Sequence, residues 1–459
     1  GHAHEQDPYD VVAHNLVTLQ EKLVQFTTLE ESGIVLRMDK REAQIYGQRA
    51  MNLLQQAKQT LCSKYKMEIA EPVIVEIFPD QKDFAIRTFG LPGGAGFLGV
   101  CFGKVITANS PASQGANPSN WEAVLWHEFC HVVTLQKTNN KMPRWLSEGI
   151  SVYEERQANG SWGQSMDAQY RKMILAGELT PISKLSGAFL QPPSPMHLQF
   201  AYYQSSLVVE YLIKNYGIEV VHRILDDLGV GMPINESLQR YSGSLPELEK
   251  EFEGFAQQLA KQLAPNLDWS EPELPPRPGL AEVKAWLEQH PRNYLALNGY
   301  AQLLMRNKQW PAAVEPLQLL LKEFPEDISN GCAYELLAEV YRQLKNRPQE
   351  QATLEQWIQR DNDALSAQLR LLEIYAEQEN WQELARVAEL TLAVNPLLTS
   401  PQQHLAAALT AMKQPQQSIP PLQALLVLDP RDPADVHYRL ARSLQETGKH
   451  SSARRHVLQ

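Results

Sequence analysis

The spacing of apolar positions changes several times along this chain, and each change marks an element. Over residues 10–26 and 41–65 apolar side chains recur every three to four positions, with Ala50, Leu53, Leu54, Ala57 and Leu61 on one side of the second stretch. That spacing predicts two amphipathic helices. Residues 71–78 are β-branched and alternating, which predicts a strand, and 33–37 reads as another. A brief helix closed by Gly90 follows, then two short strands, 99–102 and 104–108, bounded by glycines. From residue 121 onward helical spacing dominates, with the clearest run at 200–216, stopped by Gly217, and further helices at 167–176, 220–228 and 245–263. Residues 157–165 and the proline-bearing 189–198 read as loops, the second able to overhang a cleft.

Within the helix opening near 117–120, His127, Glu128 and His131 form an HExxH unit among Val124, Leu125, Phe129, Val132 and Val133. Two imidazoles one turn apart share a helix face and can share a metal, while Glu128 is rotated off that line and is free to take a proton from water. Catalytic zinc needs a third protein ligand and an open fourth position. Glu148 is the best candidate, 17 positions after His131 in WLSEGISVY, a second helix after the break at Pro143. Ser119 and Glu122 have capping-box spacing, which gives Glu122 a structural role.

His127, Glu128, His131, Trp145, Leu146, Glu148 and Gly149 together resemble the gluzincin metallopeptidases, the thermolysin-like, peptidase MA-like group. The metzincin pattern is absent, since Thr134 and Lys137 stand where it needs Gly and His. The resemblance implies one Zn²⁺ held by His127, His131 and Glu148, with Glu128 as general base. It implies an oxyanion-stabilising tyrosine, Tyr202 first and Tyr203 second, against the alternative that either ring only packs. It also implies that Val105, Ile106, Thr107, Ala108 and Asn109 form a substrate-binding sheet edge, the alternative being an ordinary hairpin. Two features depart from the group: the interval to Glu148 is short, and Val152 stands where a second carboxylate is expected to steady a ligand. The Gly-x-Met-Glu-Asn sequence of the large gluzincin aminopeptidases is missing, which favours an endopeptidase or a peptidase of another end specificity.

Residues 264–279 (APNLDWSEPELPPRPG) are proline-rich and aperiodic, a semi-rigid linker. Beyond them Pro291, Pro325, Asp361, Pro396 and Pro430 stand at intervals of 34, 36, 35 and 34 residues, the tetratricopeptide period. Counted back from Pro325, Leu297, Tyr300, Ala301, Leu304, Ala313, Leu317 and Leu320 fill the large and small positions of two packed helices, and Leu405, Ala406, Leu409, Ser418, Leu422 and Leu425 repeat them before Pro430. The stretch resembles a tetratricopeptide solenoid of about five hairpins. Pro420 and Pro421 weaken the helix expected there. The expectation is therefore an α+β gluzincin-type catalytic domain (1–115 with the substrate edge, 116–264 with the zinc ligands), a linker (265–279) and an all-α solenoid (280–459).

Composition narrows the function classes. A net charge of −11 without long charged blocks offers nothing to nucleic acid, and no apolar run reaches the ~20 residues of a membrane span. Cys62, Cys101, Cys130 and Cys332 have no disulfide or zinc-finger spacing, and Cys130 is expected to be a buried apolar filler. The chain begins Gly-His-Ala-His without an initiating Met, so a signal peptide could have been removed; with the family resemblance this favours export to the periplasm or exterior of a bacterium, the alternative being the cytoplasm. The leading functional expectation is a zinc peptidase acting on a peptide or protein, with a protein partner on the repeats. The alternatives are an inactive peptide-binding scaffold that works through the repeats, or a zinc hydrolase with a non-peptide substrate.

Overall fold

The computed structural model describes residues 10–93, 96–116 and 118–458; residues 1–9, Gly94, Ala95, Asn117 and Gln459 lie outside the described residues. Helix α1 (Val11–Leu23) is shorter than its apolar pattern suggests, because Phe26–Glu31 forms strand β1. A turn at Ser32 and Gly33, both at positive φ, returns the chain antiparallel as β2 (Ile34–Asp39). The first strand was hidden because it is an edge, with only half-buried or exposed residues. A π-helical segment, Ala43–Gly47, leads into α2 (Gln48–Lys64), followed by β3 (Val73–Phe78) and α3 (Gln81–Phe89), which Gly90 closes at φ 79°.

Next come β4 (Gly99–Cys101) and β5 (Val105–Asn109), and the five strands form one mixed sheet in the order β1-β2-β3-β5-β4. The three inner strands are parallel, and β1 and β4 run antiparallel at the two edges. This corrects one expectation: Val105, Ile106, Thr107, Ala108 and Asn109 do not form a sheet edge. All but Val105 are fully buried, so this strand needs neighbours on both sides. The outermost strand beside it is the half-buried Gly99–Cys101.

One sheet face carries Leu36, Met38, Val75 and Ile106 against Ala50, Leu54 and Leu61 of α2 and against helix α4 (Trp121–Lys137), through Leu125, Phe129, Val132 and Val133. The other face gathers Leu19, Phe78, Phe84 and Ile86. After α4, Asn139 and Asn140 adopt positive φ and Pro143 redirects the chain into α5 (Arg144–Ala158). Then follow α6 (Ala168–Leu175), α7 (Leu185–Leu190), α8 (Pro195–Tyr216), α9 (Ile218–Gly229), α10 (Ile234–Ser242) and α11 (Leu245–Gln262). The predicted loop 189–198 thus shrinks to a short link, because Ser194 caps α8 and Pro195 occupies its first turn. Helices α5 and α8 pack in close approach: a Cβ on Gly149 would lie 2.6 Å from the Ser205 carbonyl oxygen.

Helix α12 (Leu280–Gln289) precedes five helical pairs. They are α13 (Tyr294–Arg306) with α14 (Trp310–Glu323), α15 (Ala333–Gln343) with α16 (Arg347–Ile358), α17 (Leu365–Glu377) with α18 (Trp381–Val394), α19 (Thr399–Ala411) with α20 (Pro415–Val427), and α21 (Pro433–Glu446) with α22 (His450–Val457). The turn inside each pair holds one residue at positive φ, Lys308, Lys345, Glu379, Lys413 and Gly448 in turn, so the repeat is structural as well as periodic. Helix α20 runs through Pro420 and Pro421 without a break.

The solenoid rests on the sheet domain beside the start of α4. Trp121 Nε1 donates to the Leu392 carbonyl at 2.9 Å, and the Asn120 N–H donates to Asp363 Oδ1 at 3.2 Å. Arg49 bridges Glu122 and Glu389, each at 2.6 Å. Glu122 therefore has a structural role, but not the capping role its spacing suggested. The cap is Asn120, whose side chain accepts from the Glu122 and Ala123 N–H groups. All four cysteines are free, and Cys130 is fully buried. No described helix is long and apolar enough to cross a membrane.

Candidate metal centre

His127 and His131 lie one turn apart on α4, and the third member of the cluster, Glu148, comes from the second turn of α5. His127 Nε2 is 3.1 Å from His131 Nε2 and 3.2 Å from Glu148 Oε2, and His131 Nε2 is 3.3 Å from that same oxygen. Three donors thus form a nearly equilateral triangle. A tetrahedral ion with ligand bonds of ~2.0–2.1 Å requires donor separations of about 3.3 Å, so two imidazole nitrogens and one carboxylate oxygen fit zinc in number, type and spacing.

The outer nitrogens of both imidazoles are also held. His127 Nδ1 meets Glu155 Oε1, and His131 Nδ1 faces Ser147 Oγ at 2.8 Å and Ser151 Oγ at 3.2 Å. Such contacts fix the ring orientation and leave Nε2 for an ion. Glu155 supplies the carboxylate that Val152 could not, and Val152 itself is buried. The signal was present in the sequence: Glu155 follows Glu148 by seven residues, two turns along one helix face.

Charge in the cluster is strongly coupled. Burial works to lower the His127 pKa, but Glu155, Glu148 and Glu128 outweigh it and raise the pKa well above the ordinary imidazole value. Burial alone would raise Glu148, yet His131 and His127 hold it far below the usual carboxylate range, so it stays ionised. Glu128 goes the other way, raised by burial more than the two histidines lower it. Its side chain is almost wholly buried and its Oε2 has no hydrogen-bond partner among the described residues. An unpaired buried carboxylate oxygen beside three metal-type donors is costly unless a further group, such as water, completes it.

The two tyrosines separate. Tyr202 Oη accepts from Arg144 Nη2 at 3.0 Å, beside Glu148, and its pKa is pushed up to about 12 by burial and by Glu148. Tyr203, by contrast, points into the core, stacked on Tyr170 at 4.7 Å and 12° and close to Phe200. This corrects the expectation for Tyr203, because successive helical residues project about 100° apart and only one of the pair can face the cluster. Edge strand β4 lies against the same site: a Cβ on Gly99 would come within 2.7 Å of Glu128 Cγ and Oε1. Neither Gly99 nor Arg144 was legible as a site residue in the sequence.

Residues 97–257 match the profile of the Peptidase MA superfamily, so the segment that carries the cluster is a Peptidase MA superfamily domain. No curated protein matches the chain. Among solved structures, YrrB, described as a TPR protein with an unusual peptide-binding site, shares 13% identity, over 39% of this chain and 90% of its own, at a TM-score of 0.30. MamA from Desulfovibrio magneticus RS-1 shares 16% identity over 35% of this chain and 88% of its own, at a TM-score of 0.26. A tetratricopeptide repeat protein from Parabacteroides merdae shares 14% over 54% and 90%, at 0.23.

Proposed function

We propose that this protein is a zinc-dependent metallopeptidase, an endopeptidase, that hydrolyses a peptide bond with a water molecule while the solenoid engages a protein substrate or partner. The observation that carries this reading is the three-donor triangle of His127, His131 and Glu148 next to the buried, unpartnered carboxylate oxygen of Glu128. These three residues would hold one zinc ion. Zinc at such a site supplies a Lewis acid for the scissile carbonyl and lowers the pKa of water into the neutral range.

The chain's own residues do the rest. Glu128 accepts the proton of the attacking water and delivers it to the leaving amine, a shuttle suited to a carboxylate whose pKa is raised by burial. The Tyr202 hydroxyl donates a hydrogen bond to the oxygen on which negative charge develops. Glu155, Ser147 and Ser151 keep the two imidazoles in their tautomers and orientation. The open backbone edge of Gly99–Cys101 offers hydrogen bonds to an extended substrate chain passing the site. Retention of Glu128 favours an enzyme over a scaffold, since binding alone does not need a base.

The test is zinc content by elemental analysis, paired with cleavage of casein by the wild type and by Glu128→Gln. One zinc per chain in both proteins, with turnover lost only in the variant, is the expected result. Equal activity in the two would remove Glu128 as the base, and absence of bound zinc would remove the metallopeptidase.

A further inference from the structure

Arg144 occupies the first position of α5, one turn ahead of Glu148. A cation there is opposed by the helix dipole, whose positive end lies at the N-terminus, so helix stability does not account for it. An exposed i,i+4 ion pair would also contribute little. What the guanidinium does instead is close a ring of contacts across three helices. Its Nη2 donates to Tyr202 Oη at 3.0 Å, its Nε donates to Glu148 Oε1 at 3.3 Å, and its Cζ lies over Phe189, 5.3 Å from the ring centroid. Phe189 in turn meets the Tyr202 ring edge-on at 5.1 Å. Tyr202 is thereby fixed from α5 and from α7, although it is carried by α8.

The chemistry of the contacts gives the arrangement a direction. Guanidinium is donor-only, so at Tyr202 it occupies a lone pair and leaves the phenolic proton free to point elsewhere. At Glu148 it occupies Oε1, while Oε2 is the oxygen that faces both imidazoles. One side chain thus holds a metal-type carboxylate to a single donor oxygen and keeps a phenol poised as a donor.

Building on the metallopeptidase reading, we propose that Arg144 is a positioning residue of the site, which aims the Tyr202 hydroxyl at the reacting carbonyl and holds Glu148 in its one-oxygen orientation. It acts through these two residues and does not itself touch the reacting atoms.

The experiment uses the full chain and four variants: Arg144→Gln, Arg144→Lys, Tyr202→Phe and the Gln/Phe double variant. Two quantities are measured, kcat and KM on fluorescent casein, and the zinc dissociation constant by competition with a chelator. Arg144→Gln and Tyr202→Phe are each expected to lower kcat ~10–100-fold with KM nearly constant, and the double variant to be no worse than the weaker single. Zinc affinity is expected to fall about 10-fold in Arg144→Gln and to be unchanged in Tyr202→Phe. Arg144→Lys, which keeps the charge but not the fork, recovers part of kcat. Losses that multiply in the double variant, or wild-type zinc affinity in Arg144→Gln, overturn the proposal. If Arg144→Gln does not fold, the same two readouts on Arg144→Lys decide, and wild-type values for both overturn it. Should the wild type leave casein intact, the peptidase reading is what fails. The zinc measurements then judge Arg144 by themselves, a loss confined to the Arg144 variants supporting the role and no loss ending it.

Discussion

Gly99 lies so close to Glu128 that a single added methyl group would meet the carboxylate side chain at 2.7 Å. The edge strand and the candidate base are therefore packed as one unit, and the absence of a side chain at position 99 is what lets Glu128 sit where it does. Gly99→Ala is expected to displace Glu128 and lower kcat at least ~10-fold, since proton transfer depends on hydrogen-bond reach. Zinc content should stay at one per chain, because no donor of the triangle is touched. Wild-type kcat in this variant would show that the carboxylate accommodates the methyl group.

Glu155 holds the outer nitrogen of His127, and removal of such a contact costs metal affinity without removing a ligand. Glu155→Gln should weaken zinc binding ~10–100-fold by chelator competition. Ser151→Ala should do less, as Ser147 still faces His131 Nδ1 at the shorter distance.

Acid should inactivate the enzyme through its base. Burial raises Glu128 above the ordinary glutamate value of about 4.3, and the base works only when ionised. Activity should accordingly fall tenfold per pH unit once pH drops below the pKa that Glu128 has in the zinc-loaded protein, read as the acid limb of kcat/KM. A carboxyl with a raised folded-state pKa contributes most stability below its unfolded pKa and loses it as pH rises through the folded one. The metal-free Glu128→Gln variant should therefore gain stability over the metal-free wild type on going from pH 4 to pH 8, measured by denaturant unfolding at each pH.

The contact between Trp121 and Leu392 links the solenoid to the first residue of the helix that carries both histidines. The Leu392 carbonyl has no helical partner of its own, because the residue four positions on is Pro396, which lacks an N–H. Trp121→Phe leaves that carbonyl unpaired in a buried place, a cost of ~1–3 kcal/mol. A melting temperature lower by about 1–3 °C is expected, with the zinc stoichiometry unchanged. An unaltered melting temperature would mean that water replaces the indole.

What was legible in the chain before folding is what periodicity can encode. The HExxH spacing puts two imidazoles on one helix face, WLSEG stands on the next helix, and proline spacing marks stacked helical pairs, because these relations are local and follow from 3.6 residues per turn. Strand order, by contrast, is set by which neighbours bury a strand. So the sequence-level expectation of an edge fell on Val105–Asn109, while the edge of the folded sheet is Gly99–Cys101. Tyr202 and Tyr203 are equivalent as letters, and only the packing of α8 against α5 and α6 turns one towards the cluster and the other into the core. The Arg144–Tyr202 bond spans 58 residues and the Trp121–Leu392 bond 271. Contacts of that range depend on how whole helices settle against one another, and no local pattern in the chain specifies them.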